Sequence, residues 1–128
     1  MKKIIIGFVS SKNSQDISSL SGGLYYMSKA LIKHCGEVVP FYLDINFPLL
    51  IGKMYNKITR FFMGKQYMYQ HSLLYTYICG KVLTRKLKKN KIDIIFASRS
   101  ASQIAFLKTD VPIIYTSDAT FKLMEDYY

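Results

Sequence analysis

Short continuous apolar runs alternate along this chain with stretches whose apolar residues recur every three or four positions. Residues 3–9 hold three isoleucines in a row, Ile4, Ile5 and Ile6, with no polar alternation. Such a run predicts a strand buried on both faces, as in a parallel sheet. Residues 10–23 are polar and rich in serine and glycine, and read as a loop. Leu24, Met27 and Leu31 then fall on one face of a helix predicted over 24–35. Residues 38–43 read as a second strand, in which Pro40 belongs at an edge or a strand start.

The middle of the chain has a different character. Over 49–63 the basic residues Lys53, Lys57 and Arg60 recur at i, i+4 and i+7. Ile51, Tyr55, Ile58 and Phe62 recur on the other side, and Leu50, Met54 and Phe61 widen that arc. The spacing predicts a helix with one cationic face and one broad apolar, aromatic face. A longer helix is predicted over 65–89, with Tyr69, Leu73, Thr76, Gly80, Leu83 and Leu87 on one stripe. Its basic end (Lys81, Arg85, Lys86, Lys88 and Lys89, followed by Lys91) complements the negative end of a helix dipole.

Two further units close the chain. Residues 92–97 read as a buried strand, 98–100 as its exit loop and 102–107 as a short helix. Residues 112–115 and 116–118 repeat the strand and exit loop, and 120–128 begin another helical pattern. Strands alternating with helices predict an α/β fold, a parallel sheet flanked by helices. Ligands of such sheets bind beyond the carboxyl ends of the strands. The polar loops 10–23, 98–100 and 116–118 all collect there.

A length of 128 residues fits one domain, and a 50% hydrophobic content supports a sizeable core. The 18 basic against 8 acidic residues give a net charge of +10, which favours anionic partners such as a membrane surface, nucleic acid or a phosphorylated ligand. No nucleic-acid-binding motif accompanies that charge, so nucleic acid is not the expected partner. The N-terminal Lys2 and Lys3 with their apolar run resemble a signal peptide, but the run is too short and lacks a small-residue cleavage site. No stretch reaches the roughly 18 apolar residues of a membrane span. Cys35 and Cys79 lack metal-ligand spacing and read as two packed thiols of a reducing compartment.

The candidate chemistry is concentrated in the loops. In "SGG", Gly22 and Gly23 leave room for a pyrophosphate at a helix N-terminus. On spacing alone the favoured reading of the same triplet is a turn with Ser21 as an ordinary helix N-cap. There is no G-x-G-x-x-G and no G-K-[ST]. Asp118, at the exit of a buried strand, suits either contact with a sugar hydroxyl and base chemistry or an N-cap. His34 and His71 stand apart and form no catalytic or metal constellation. The 49–63 segment suits a membrane surface, with cations on headgroups and Phe61 and Phe62 inserted, and suits equally a surface helix packed on the core.

"LSGGLYYMSKAL", "GKQYMYQHS", "DIIFASRSASQIAFL" and "VPIIYTSDATFKLMEDYY" resemble, in that order, segments of bacterial family 4 glycosyltransferases. That resemblance implies the N-terminal, acceptor-side half of a GT-B fold, a Rossmann-like domain facing a second one across a cleft. It implies a retaining transfer of a sugar from a nucleotide donor, a UDP-sugar, with no cofactor and no required metal. It places Ser21, Gly22 and Gly23 in the cleft loop, with Ser98, Arg99, Ser100, Thr116 and Ser117 on the same substrate-binding edge. Asp118 falls where relatives place a polar group on the transferred sugar, which makes it the expected catalytic residue. Where relatives carry W-S-G-T-P-Y-Y, Leu20 replaces Trp and Gly23-Leu24 replaces Thr-Pro, which implies a different loop shape or acceptor preference.

The family's nucleotide pocket lies in a C-terminal domain, so the resemblance implies that residues 1–128 bind the donor mainly through a domain they do not contain. Alone they are expected to be inactive. The expected acceptor is a lipid-pyrophosphate-linked glycan of O-antigen or capsule synthesis, met at the inner face of the bacterial inner membrane. Lys53, Lys57, Arg60, Phe61, Phe62 and Lys65 form the expected membrane surface. The alternative is a stand-alone basic α/β module that presents its charge to anionic membrane or nucleic acid.

Overall fold

The computed structural model describes residues 3–18, 22–43, 46–64 and 72–117. Its elements run β1 (Ile4–Ser10), α1 (Gly23–His34), β2 (Gly36–Tyr42), α2 (Asn46–Met63), α3 (Leu73–Lys88), β3 (Ile94–Ser98), α4 (Ala101–Ile104) and β4 (Ile113–Thr116). The four strands form one sheet in the order β2-β1-β3-β4, and every neighbouring pair is parallel. The α/β architecture that the apolar runs predict is the one observed.

β1 is the centre of this sheet. Phe8 and Val9 are fully buried, and Ile6 and Ser10 nearly so. Pro40 pairs with Phe8 but lies on the edge strand β2, where its missing N–H faces away from the ladder partner. Asp93 ties the start of β3 to β1 twice. Its carboxylate accepts the Ile5 N–H at 2.9 Å, and its own N–H donates to the Ile5 carbonyl at 2.9 Å.

The register separates two faces, because paired residues of parallel strands share a side. On one face Val9, Phe41, Ile95 and Ala97 pack with Tyr75, Cys79, Leu83 and Leu87 of α3. α4 follows β3 on that side, and the Tyr77 and Phe106 rings meet edge to face with centroids 5.9 Å apart. On the other face Phe8 stacks on Phe96 at 5.5 Å, and α1 packs beside β2.

Several expectations need correction. The long helix starts at Leu73 rather than near residue 65, because Ser72 has extended backbone and its hydroxyl accepts the Tyr75 N–H at 3.3 Å. Its predicted stripe holds for Thr76, Gly80, Leu83 and Leu87. Leu73, in the first turn, stays in solvent. Tyr69, His71 and Lys65 lie outside the described residues. α4 ends at Ile104 rather than 107. Only Cys79 is packed; Cys35 caps the end of α1 and is exposed.

Gly80 marks the closest approach of α3 to the chain after α4. A Cβ there would lie 2.7 Å from the Phe106 backbone carbon and oxygen. Backbone cannot yield as a side-chain tip does. Gly80→Ala is therefore expected to destabilise the fold by about 2 kcal/mol, despite alanine's better helix propensity. Urea unfolding checks this; an unchanged or raised midpoint would contradict the contact.

Candidate functional site: the carboxyl edge of the sheet

β1 leads to β2 on one side of the sheet, and β3 leads to β4 on the other. The strand order therefore reverses between β1 and β3, and a crevice opens beyond their carboxyl ends. Ser10 and Ser98 are paired across this point. The Ser100 hydroxyl donates to the Val9 carbonyl at 3.3 Å, and the Arg99 N–H donates to the Thr116 carbonyl at 2.9 Å. These two bonds lash the exits of β1, β3 and β4 together.

A cavity of about 240 Å³ sits at that edge, lined by Gly23, Leu24, Met27, Ser98, Arg99, Thr116 and Ser117. Five of these were expected on the substrate edge. Ser100 is fully buried behind them and braces β1 rather than lining the cavity. Leu24 and Met27 were read only as the apolar stripe of a helix; that same stripe faces the crevice. Ser21 and Asp118 lie outside the described residues.

Two features at this edge are unusual. Arg99 has φ 51°, a left-handed conformation that costs a non-glycine residue about 1–2 kcal/mol. Ser98 is 1% exposed, yet its hydroxyl has no hydrogen-bond partner among the described residues. Buried polar groups normally find one, so an orphaned hydroxyl lining a cavity is a group ready for a ligand.

At the entry to α1 the N-cap is Gly22, with φ 79°, and among the described residues no side chain caps the helix. The N-cap position that one reading of "SGG" gave to Ser21 is therefore held by Gly22. A Cβ on Gly22 would meet the Tyr26 ring at 3.2 Å and the Ile17 carbonyl at 3.4 Å, while nothing lies within 4 Å of one on Gly23. Gly22 is held by backbone conformation, whereas Gly23 leaves open space at the cavity wall.

α2 forms a second surface. Gly52 is buried and Asn56 and Thr59 are half-buried, so the least exposed side of the helix is small and polar. Its apolar arc faces solvent: Leu50 is 65% exposed, Met54 64%, Phe61 84% and Phe62 78%. Lys53, Lys57 and Arg60 flank that arc and, with Asn56 and Phe61, line a surface groove of about 390 Å³. An ordinary surface helix buries its apolar side; here that side points outward.

Among the described residues no group of His, Cys, Asp and Glu could hold a metal ion, and no helix is long and apolar enough to cross a membrane. Comparisons with family models, curated proteins and solved structures give no match.

Gly22→Ala is expected to cost about 1 kcal/mol of stability, because alanine must adopt φ 79°. Gly23→Ala is expected to cost nothing, since the cap already permits a good helix former at the first position. Thermal melts of the two variants check this; equal losses would contradict the assignment of the cap.

Proposed function

We propose that this chain is the acceptor-side, Rossmann-like domain of a retaining glycosyltransferase that works on a lipid-linked acceptor at a membrane surface. The outward apolar arc of α2, rimmed by Lys53, Lys57 and Arg60, carries the membrane half of this reading. A contiguous exposed apolar patch beside cations is what an interfacial helix presents to anionic headgroups. The transferase half rests on the resemblance to family 4 glycosyltransferases and on a polar crevice at the switch point of the sheet.

In that reading the donor UDP-sugar is held mainly by a second domain across the cleft. This domain contributes Gly22, Gly23, Ser98, Arg99, Thr116 and Ser117 to the acceptor side, and Asp118 to the transferred sugar. Localisation at the inner face of the inner membrane follows from an acceptor anchored there. O-antigen or capsule synthesis supplies such acceptors. The alternative, a stand-alone membrane-binding module, shares α2 but predicts no transfer.

Sedimentation with anionic vesicles tests the surface. Reversing three charges in Lys53→Glu, Lys57→Glu and Arg60→Glu is expected to weaken binding at least about a hundredfold, at about 1 kcal/mol per basic residue. Binding that survives the reversal contradicts the reading. Transfer from radiolabelled UDP-sugars to lipid-linked acceptor by the full-length protein tests the chemistry. Asp118→Ala is expected to abolish turnover with a stability change of no more than about 1 kcal/mol. Turnover retained, with only stability reduced, would make Asp118 a helix cap.

A further inference from the structure

On the face of the sheet that carries α1, the helix packs mainly beside β2. Among the described residues Ile94 and Phe96 of β3 stay half-buried and Ile114 of β4 exposed. A cavity of about 520 Å³ opens there, lined by Ile6, Leu31, Cys35, Ile94, Phe96 and Ile114. Its size is that of a small-molecule site, and its walls are almost wholly apolar. Asp93 at its mouth is engaged by the Ile5 N–H, and Lys3 is the cation beside it.

This cavity and the polar one at the carboxyl edge lie one behind the other along the same helix and the same two strands. Both have α1 as a wall: Leu24 and Met27 line the polar end, and Leu31 and Cys35 continue the same stripe to the apolar end. Both have β3 and β4 as floor: Ser98 and Thr116 are paired at one end, and Phe96 and Ile114, also paired, lie two residues back on the same face. From Gly23 to Cys35 the wall runs about 18 Å at 1.5 Å per residue.

The chemistry changes along that length. At one end stand the N-terminus of a 12-residue helix capped by Gly22, the Ser98 hydroxyl, unpartnered among the described residues, and Arg99. Unsatisfied N–H groups, a spare hydroxyl and a cation suit a phosphate. At the other end the wall and floor are hydrocarbon. We propose that the two cavities act as one groove that binds a single-chain amphiphile, with its phosphorylated head at Gly23, Ser98 and Thr116 and its hydrocarbon chain along Phe96, Ile94 and Ile114. The inference rests on the reading of this edge as the acceptor side and adds that the protein, not the bilayer alone, holds part of the acceptor's chain.

Cys35 reports on occupancy. It is exposed and lines the apolar end, whereas Cys79 is buried in the α3 core, where burial pushes its thiol above the ordinary range and keeps it unreactive. Alkylation of Cys35 by a maleimide is followed by mass spectrometry in the whole chain, with dodecyl phosphate added below its micelle concentration. Labelling of Cys35 is expected to slow about tenfold when the ligand is at ten times its Kd. Inorganic phosphate leaves the rate unchanged, and dodecanol protects more weakly than dodecyl phosphate. Ile114→Glu, at a half-exposed position, restores the ligand-free rate, and so does Met27→Glu on the surface of α1, without touching the sheet.

Four results would overturn the inference: no slowing by dodecyl phosphate, protection that survives both substitutions, equal protection by dodecanol, or a Cys35 already unreactive without ligand. The last would mean that another part of the chain or a second copy covers the groove. Sugar transfer plays no part in this measurement. A chain that binds without transferring sugar leaves the groove standing and removes the enzyme reading; a transferase with unprotected Cys35 does the reverse.

Discussion

The pairing of β1 with β3 is the constraint from which the rest of this structure follows. β1 feeds α1 and β2 on one side, and β3 feeds α4 and β4 on the other. Their side-by-side placement puts Ser10 next to Ser98 and opens the crevice between diverging loops. The Asp93–Ile5 bonds at the amino ends and the Ser100–Val9 bond at the carboxyl ends hold this pair at both extremities. Phe8, Val9, Ile95 and Ala97 have zero exposure. The three larger side chains, Phe8, Val9 and Ile95, each contribute on the order of 1.5–3 kcal/mol when fully buried. The site is therefore built at the polar ends of two well-buried strands.

The two faces of the sheet are finished differently. α3 seals one of them with Tyr75, Cys79, Leu83 and Leu87, and Gly80 lets the chain after α4 close against it. α1 covers only part of the other, leaving Ile114 47% exposed. Parallel sheets are ordinarily covered on both sides, and among the described residues this half-face is the less covered one. α2 turns its aromatics to solvent and keeps Gly52, Asn56 and Thr59 as its least exposed side. Both features expose hydrocarbon.

Much of the fold was legible in the sequence because strands buried on both faces leave an unbroken apolar signature. The isoleucine run at β1 and the "DIIF" and "PIIY" runs mark three of the four strands within a residue or two. Boundaries set by single hydrogen bonds were not legible: nothing in the periodicity separates a helix starting at residue 65 from one starting at Leu73, where one serine hydroxyl decides. Of the two readings of "SGG", the one that placed the N-cap at Ser21 missed its position by one residue, because the cap is a left-handed Gly22 and backbone conformation leaves little trace beside another glycine. The substrate edge was readable as three polar loops, but the orphaned Ser98 hydroxyl and the φ of Arg99 exist only in three dimensions. For α2 the composition of both faces was readable, yet the least exposed side centres on Gly52, a residue with no side chain to signal it.

The most direct test of the account is amide hydrogen exchange along α2 in the presence and absence of anionic vesicles, since the membrane half of the proposed function depends on this helix meeting a membrane. The account predicts that exchange slows across the segment bearing Leu50, Met54, Phe61 and Phe62 when vesicles are added, while α3, already sealed against the sheet, is unaffected. Unchanged exchange in α2, or equal slowing in both helices, would contradict it.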